Sequence, residues 1–167
     1  IQAKSNMKKA QELVKSSGYD GTPVVLMKPT DLAAIQKLPE VAAQLLRQAG
    51  FKVDLQAMDW NTVVTRRAKK EPVAQGGWSI FHTGWSGLDM VNPAGHVFLR
   101  GNGRAATVGW PSSPAIEALR DAWFRAPDLA AQQALAAKLQ LQAFEDVPKT
   151  LRMMAFTTSR IGAAARR

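Results

Sequence analysis

The sequence contains no cysteine. That excludes a disulfide scaffold, a thiolate zinc site and a thiol nucleophile. It suits the cytoplasm and suits equally a bacterial periplasmic protein built without disulfides. Histidine occurs only at His82 and His96, too seldom for a histidine-rich metal centre. No apolar run approaches the ~20 residues that cross a bilayer as a helix. The motifs of common catalytic sites are missing too: there is no GxSxG, Walker loop, GxGxxG or HExxH. Asp54 and Asp59 lie across a strand end and Glu145 adjoins Asp146 at a helix terminus. Neither pair holds two carboxylates at a separation suited to acid/base work. No catalytic residue, metal or cofactor is therefore expected.

A chain of 167 residues makes one ordinary domain or one lobe of something larger. The start, IQAKSNMKKAQEL, lacks an initiator Met and the charged-then-apolar order of a signal peptide. It reads as part of a helix, so a piece of a longer protein is expected. Residues 2–17 carry Met7, Ala10, Leu13 and Val14 on one face, with Gly18 placed to end the helix. After the turn at Asp20–Pro23, Val24-Val25-Leu26-Met27 is a continuous apolar run, the mark of a strand covered on both faces. Asp31 suits a helix N-cap. The firmer helix spans 39–49, with Val41, Ala42, Leu45, Leu46 and Ala49 as its stripe and Gly50 as its stop. Residues 51–58 alternate in the strand period, and Asp59 can cap a helix from Trp60 to about Lys70. Strand, helix, strand, helix, strand in close succession predicts an α/β fold, with parallel strands joined by right-handed crossovers.

The third strand is expected at 78–83, Trp-Ser-Ile-Phe-His-Thr, behind Gly76 and Gly77. It breaks into Gly84-Trp85-Ser86-Gly87, with Asp89 just beyond and Pro93 closing the loop. A loop at the carboxyl end of a parallel strand is where such sheets bind ligands. Trp85 offers a flat apolar face and Asp89 an anion for an ammonium or guanidinium. A plain surface turn would account for the same residues. Section 94–112 has little regular pattern. From Ser113, which can cap with Pro114 following, a helix buries Ile116, Leu119, Trp123 and Phe124. Asp128 caps a long helix to about Glu145 with Leu135, Leu139, Gln142 and Phe144 near its buried side, and 151–157 reads as a final strand.

Lys and Arg number 22 against 13 Asp and Glu, a net charge of +9. The tightest cluster is Arg66-Arg67-Ala68-Lys69-Lys70. It admits two readings, a phosphate-contacting patch or a solvated helix end whose cations offset the helix dipole. The remaining basic residues are scattered, so no nucleic-acid partner is expected. A basic nucleic-acid-binding module is the rival reading, and a small α/β enzyme domain using Asp89 or His96 is a more distant one.

Several segments in order resemble a known family: AQELVKSSGYDG, PVVLM, VAAQLLRQAGFKVDL, MDWNTVVTRRAKK, GGW with GWSGLDMVNP, then VGWPSSPAIEALRDAWFRAPD and LQAFEDVP. Together they are similar to the second lobe of the bacterial extracellular solute-binding proteins of family 5, the dipeptide/oligopeptide-binding group of ABC importers. The resemblance covers nearly the whole chain. It implies one lobe of a two-lobed type II periplasmic-binding fold, with a mixed, mostly parallel sheet flanked by helices. The other lobe, coming before and partly after this segment, is absent. It also implies a periplasmic location and a membrane permease as partner. The solute would be a small peptide-like or amine-bearing molecule, bound in the cleft between lobes. Trp85 and Asp89 match a Trp and an Asp on the cleft wall of peptide-binding members, where the Asp pairs with the peptide α-ammonium. Here Leu88 precedes Asp89 and Met90 follows, where many members have a Gly and an aromatic residue. Arg100, Arg104 and Trp110 are further candidates for the wall, the arginines suiting a carboxylate.

Overall fold

The computed structural model describes residues 6–146. The expected strand at 151–157 and the tail beyond it lie outside the described residues. Three strands, β1 (Val24–Pro29), β2 (Val53–Met58) and β3 (Ile80–Phe81), form one parallel sheet in the order β2-β1-β3. Val24 pairs with Val53 and runs in register to Pro29 with Met58; Leu26 and Met27 pair with Ile80 and Phe81. Five helices accompany the sheet: α1 (Met7–Ser16), α2 (Leu38–Ala49), α3 (Trp60–Arg66), α4 (Pro114–Phe124) and α5 (Leu129–Asp146).

The apolar run of β1 is buried on both faces, as a central parallel strand requires. On one face Leu26 and Ile80 meet Ala43 of α2, flanked by Ala42 and Leu46. On the other, Val25, Met27 and Phe81 meet Val63 of α3 and Trp78. Fully burying side chains such as Leu26 and Met27 contributes about 1.5–3 kcal/mol each. Small Ala43 lets α2 approach the sheet closely. The helix is thereby turned away from its expected orientation: Val41 and Leu45, expected in the stripe, are exposed, while Ala43 is buried. On α1, Met7, Ala10 and Val14 are only half-covered and Leu13 is exposed. This helix rests on the end of α2, where the Gln11 side chain donates to the Gln48 carbonyl at 2.7 Å.

Local stops and starts follow the side chains. Asn6, Asp59 and Ser113 accept from the backbone N–H three residues on, capping α1, α3 and α4. Asp128 does the same for the Ala131 N–H at 2.8 Å. Gly50 ends α2 in the left-handed region at φ 109°. Asp31 caps no helix. Its Oδ1 accepts the Trp60 N–H at 2.8 Å, tying the loop after β1 to the start of α3. Two elements are shorter than expected. α3 ends at Arg66, whose guanidinium turns inward and donates to the Gly76 and Gly77 carbonyls at 3.0 and 2.9 Å. Only Ile80 and Phe81 of the 78–83 run pair as strand. Trp78 is instead a core anchor outside the ladder, its Nε1 donating to the Arg67 carbonyl at 3.0 Å.

α4 and α5 pack on each other. Their contact is anchored by the buried Leu139 and by Ser113 Oγ donating to Asp146. Phe124 and Phe144, expected on buried faces, are exposed. Arg120 occupies the buried side of α4 in their place.

Candidate functional site

Strand order and helix placement define the site. β1 leads to α2 on one face of the sheet. The chain leaving β3 returns over the opposite face, where Val108 packs against the Met27–Phe81 cluster. The connections from adjacent strands part here, at the carboxyl ends of β1 and β3, the position at which parallel sheets bind ligands.

His82 is the first residue past β3. It is 4% exposed, and its Nδ1 has no hydrogen-bond partner among the described residues. Burial pushes its imidazole below the ordinary value of 6.5, so it is neutral at pH 7. His96 is likewise lowered, by burial and by the nearby Arg120 charge.

Beyond His82 the loop is built from its own short contacts. Residues Gly87–Met90 form a single 3-10 turn, with the Asp89 N–H donating to the Ser86 carbonyl at 3.2 Å. Asn92 Oδ1 accepts the N–H groups of Ala94 and Gly95 at 2.9 and 3.2 Å, a side-chain turn that reverses the chain. A Cβ at Gly95 would stand 2.9 Å from the Asp89 carbonyl oxygen, so only glycine lets the two arms of the loop approach this closely. Trp85 lies edge-to-face with Phe98, centroids 5.4 Å apart, leaving half of its surface open. Asp89 is exposed, and its carboxylate makes no hydrogen bond or ion pair among the described residues.

The other three candidates are placed differently. Arg100 turns toward α4, where its Nε lies 3.3 Å from Glu117 Oε1. Arg104 is exposed in the short turn Gly103–Ala105. Trp110 has a positive φ of 49°, and its ring lies 4.6 Å beneath the Lys70 ammonium. The basic cluster is spread over several partners. Arg66 points inward, Arg67 lies over the Phe81 ring at 5.8 Å, and Lys70 covers Trp110.

What holds the loop in place was not anticipated from the sequence. Arg120 is 4% exposed. It donates to the Pro93 carbonyl and, at 3.4 Å, to the Ala94 carbonyl. Its Nε lies 3.9 Å from Glu117 Oε1, which also accepts the Gly101 N–H at 2.7 Å. Burial pushes the Glu117 carboxyl up, but the Gly101 N–H and Arg100 outweigh it and hold the group below its usual range. One turn of α4 thus grips both ends of the segment 93–101, which carries the Phe98 ring behind Trp85. The available signal was the helical period: Arg120 falls four residues after buried Ile116, on the stripe that otherwise reads as apolar.

The sequence profile described as bacterial extracellular solute-binding proteins, family 5 Middle, matches residues 1–105. The match takes in the whole sheet and the loop with Trp85 and Asp89, and stops before Trp110. The "Probable peptide ABC transporter periplasmic-binding protein y4tO" of Sinorhizobium fredii (strain NBRC 101917 / NGR234) is 37% identical over 141 residues, which is 84% of this chain. The aligned stretch is 27% of that relative, so the chain spans about a quarter of its length. With a parallel sheet flanked by helices and a family profile covering more than half of its residues, the chain belongs to the bacterial extracellular solute-binding proteins of family 5.

Proposed function

We propose that this chain is one lobe of a two-lobed periplasmic solute-binding protein. That protein binds a peptide-like or amine-bearing solute between its lobes and delivers it to the permease of an ABC importer. The observation that carries the reading is the loop 84–93. It leaves the carboxyl end of β3 and carries a half-exposed Trp85 and, four residues on, an exposed Asp89 whose carboxylate is unpaired among the described residues, in a chain of the solute-binding family. The relative's name, and the fraction of its length that this chain spans, favour a peptide as solute and a second lobe outside this sequence.

In this mechanism Asp89 accepts a charge-assisted hydrogen bond from the solute ammonium. Trp85, braced by Phe98, packs on the solute backbone. The second lobe closes over both and excludes water. Closure is driven only by the difference in solute affinity between open and closed forms. Arg104 and Trp110 lie on the segment that continues this wall. Arg100 serves the wall indirectly through Glu117. The role is binding, a reading that the solute-binding family and the relative's name support. The isolated lobe makes half of the contacts, and we expect it to bind the solute weakly or undetectably.

The test is to purify the full-length protein natively, denature it, and identify what it releases by mass spectrometry. A released peptide or amine supports the reading. Release of nothing, combined with salt-sensitive retention on DNA, would replace it with the nucleic-acid reading.

A further inference from the structure

The segment that braces Trp85 has almost no core of its own. None of residues 94–100 is buried. One face of α4 fixes it instead. Ser113, Glu117 and Arg120 are spaced four and three residues apart, which puts them on one side of the helix. The Ser113 N–H donates to the Gly101 carbonyl at 2.8 Å, and Glu117 accepts the Gly101 N–H at 2.7 Å. Arg120 reaches the other end of the segment, at the Pro93 and Ala94 carbonyls.

Burying a guanidinium here is costly. Among the described residues its one ion pair is to Glu117, at 3.9 Å, and Glu117 is shared with Arg100 at 3.3 Å. That pairing offsets the desolvation only in part. What Arg120 supplies, and no apolar side chain could, is direction: its donors set where Pro93 and Ala94 lie against α4. Between these two anchored ends stands Phe98, edge-to-face with Trp85 at 5.4 Å.

We propose that Arg120 is a positioning residue for solute binding, acting through Phe98 on Trp85; this rests on the binding role proposed above for Trp85. By holding 93–101 on α4, it keeps Phe98 against Trp85 before any solute arrives. The solute then meets a wall already in its binding arrangement. Without the grip, Trp85 spends time in other arrangements, and apparent affinity falls with the fraction of molecules that have the wall in place. An aromatic pair of this geometry is worth about two- to tenfold in such an equilibrium.

Calorimetric titration of the full-length protein with Ala-Ala-Ala, and with any peptide released on native extraction, tests this in a double-mutant cycle. Arg120→Met is expected to weaken binding about two- to tenfold, and Trp85→Ala at least as much. The double variant should bind no more weakly than Trp85→Ala alone, because the arginine acts through that ring. Arg120→Lys keeps a donor for one carbonyl but not the fork, and should recover part of the affinity. Phe98→Leu breaks the same link at its other end with the α4 grip intact. It should match Arg120→Met, and it decides the question if Arg120→Met does not fold. Losses that add in the double variant would mean that Arg120 acts through the fold at large. Wild-type affinity in Arg120→Met or in Phe98→Leu would mean that the grip does not set the wall. Each of these overturns the positioning role and leaves peptide binding standing. Wild-type affinity in Trp85→Ala overturns the role of the wall itself, and full-length protein that neither binds nor releases a peptide overturns the peptide reading; the positioning role falls with either.

Discussion

The sheet half of the chain and the loop half are held together by different forces. From Met7 to Phe81, structure comes from apolar side chains pressed on both faces of one strand: Leu26 and Ile80 against Ala43, Met27 and Phe81 against Val63 and Trp78. From His82 to Asp146 there is little core. The segment 93–101 is gripped by Arg120 and Glu117, and α4 is tied to α5 through Ser113 and Asp146. Apolar burial is non-directional and tolerates small shifts. Buried hydrogen bonds are directional, so they fix where a loop sits. The half that presents the candidate wall is therefore the half positioned by polar contacts, and its stability and geometry should separate on mutation.

The largest effect belongs to the sheet. Leu26→Ala, at a fully buried position, is expected to cost about 2–5 kcal/mol in denaturant unfolding and to leave the surroundings of Trp85 unchanged. Arg120→Met should cost less, roughly 1–3 kcal/mol, because it strips two carbonyls and Glu117 of a donor. It should nevertheless shift the Trp85 resonance in protein labelled with 5-fluorotryptophan and read by fluorine NMR. If Leu26→Ala moved that resonance and Arg120→Met did not, the division of labour would be wrong. Ser113→Ala removes the α4 cap and the Asp146 donor partner together, and is expected to cost about 1 kcal/mol.

The smallest effect is a pH dependence. His82 and His96 both have folded values below 6.5 because burial disfavours their charged forms. The unfolded chain therefore binds more protons than the folded one as pH falls through that value. The stability that neutral histidines allow is complete above 6.5 and declines below it. A urea midpoint that drops between pH 7.5 and 5.8, and drops less in His82→Gln, is the expected outcome. A flat midpoint would mean that the buried imidazoles are solvated.

Much of the sheet half was legible in the sequence because its signals are local and redundant. Val24 to Met27 reads as a doubly covered strand, Asp59 as a cap and Gly50 as a stop, and each is observed. The errors there came from tertiary contacts that no period encodes. Ala43 is the α2 residue buried against the sheet, and Arg66, at the end of α3, turns inward to the Gly76 and Gly77 carbonyls. In the loop half, composition pointed to Trp85 and Asp89, and they share one loop. It could not say that Arg100 would face Glu117, 17 residues away on α4. Nor does the helical period distinguish a buried arginine from a misplaced one. Arg120 makes sense only once the Pro93 and Ala94 carbonyls are seen beneath it.

The most direct test of the central claim, that residues 84–93 meet the solute, is hydrogen–deuterium exchange on the full-length protein with and without its co-purified solute. The account predicts slowed exchange at the amides of residues 85–91 when solute is present, with little change in β1 and α2. Unchanged exchange at 85–91, with protection confined to other segments of the chain, would contradict it.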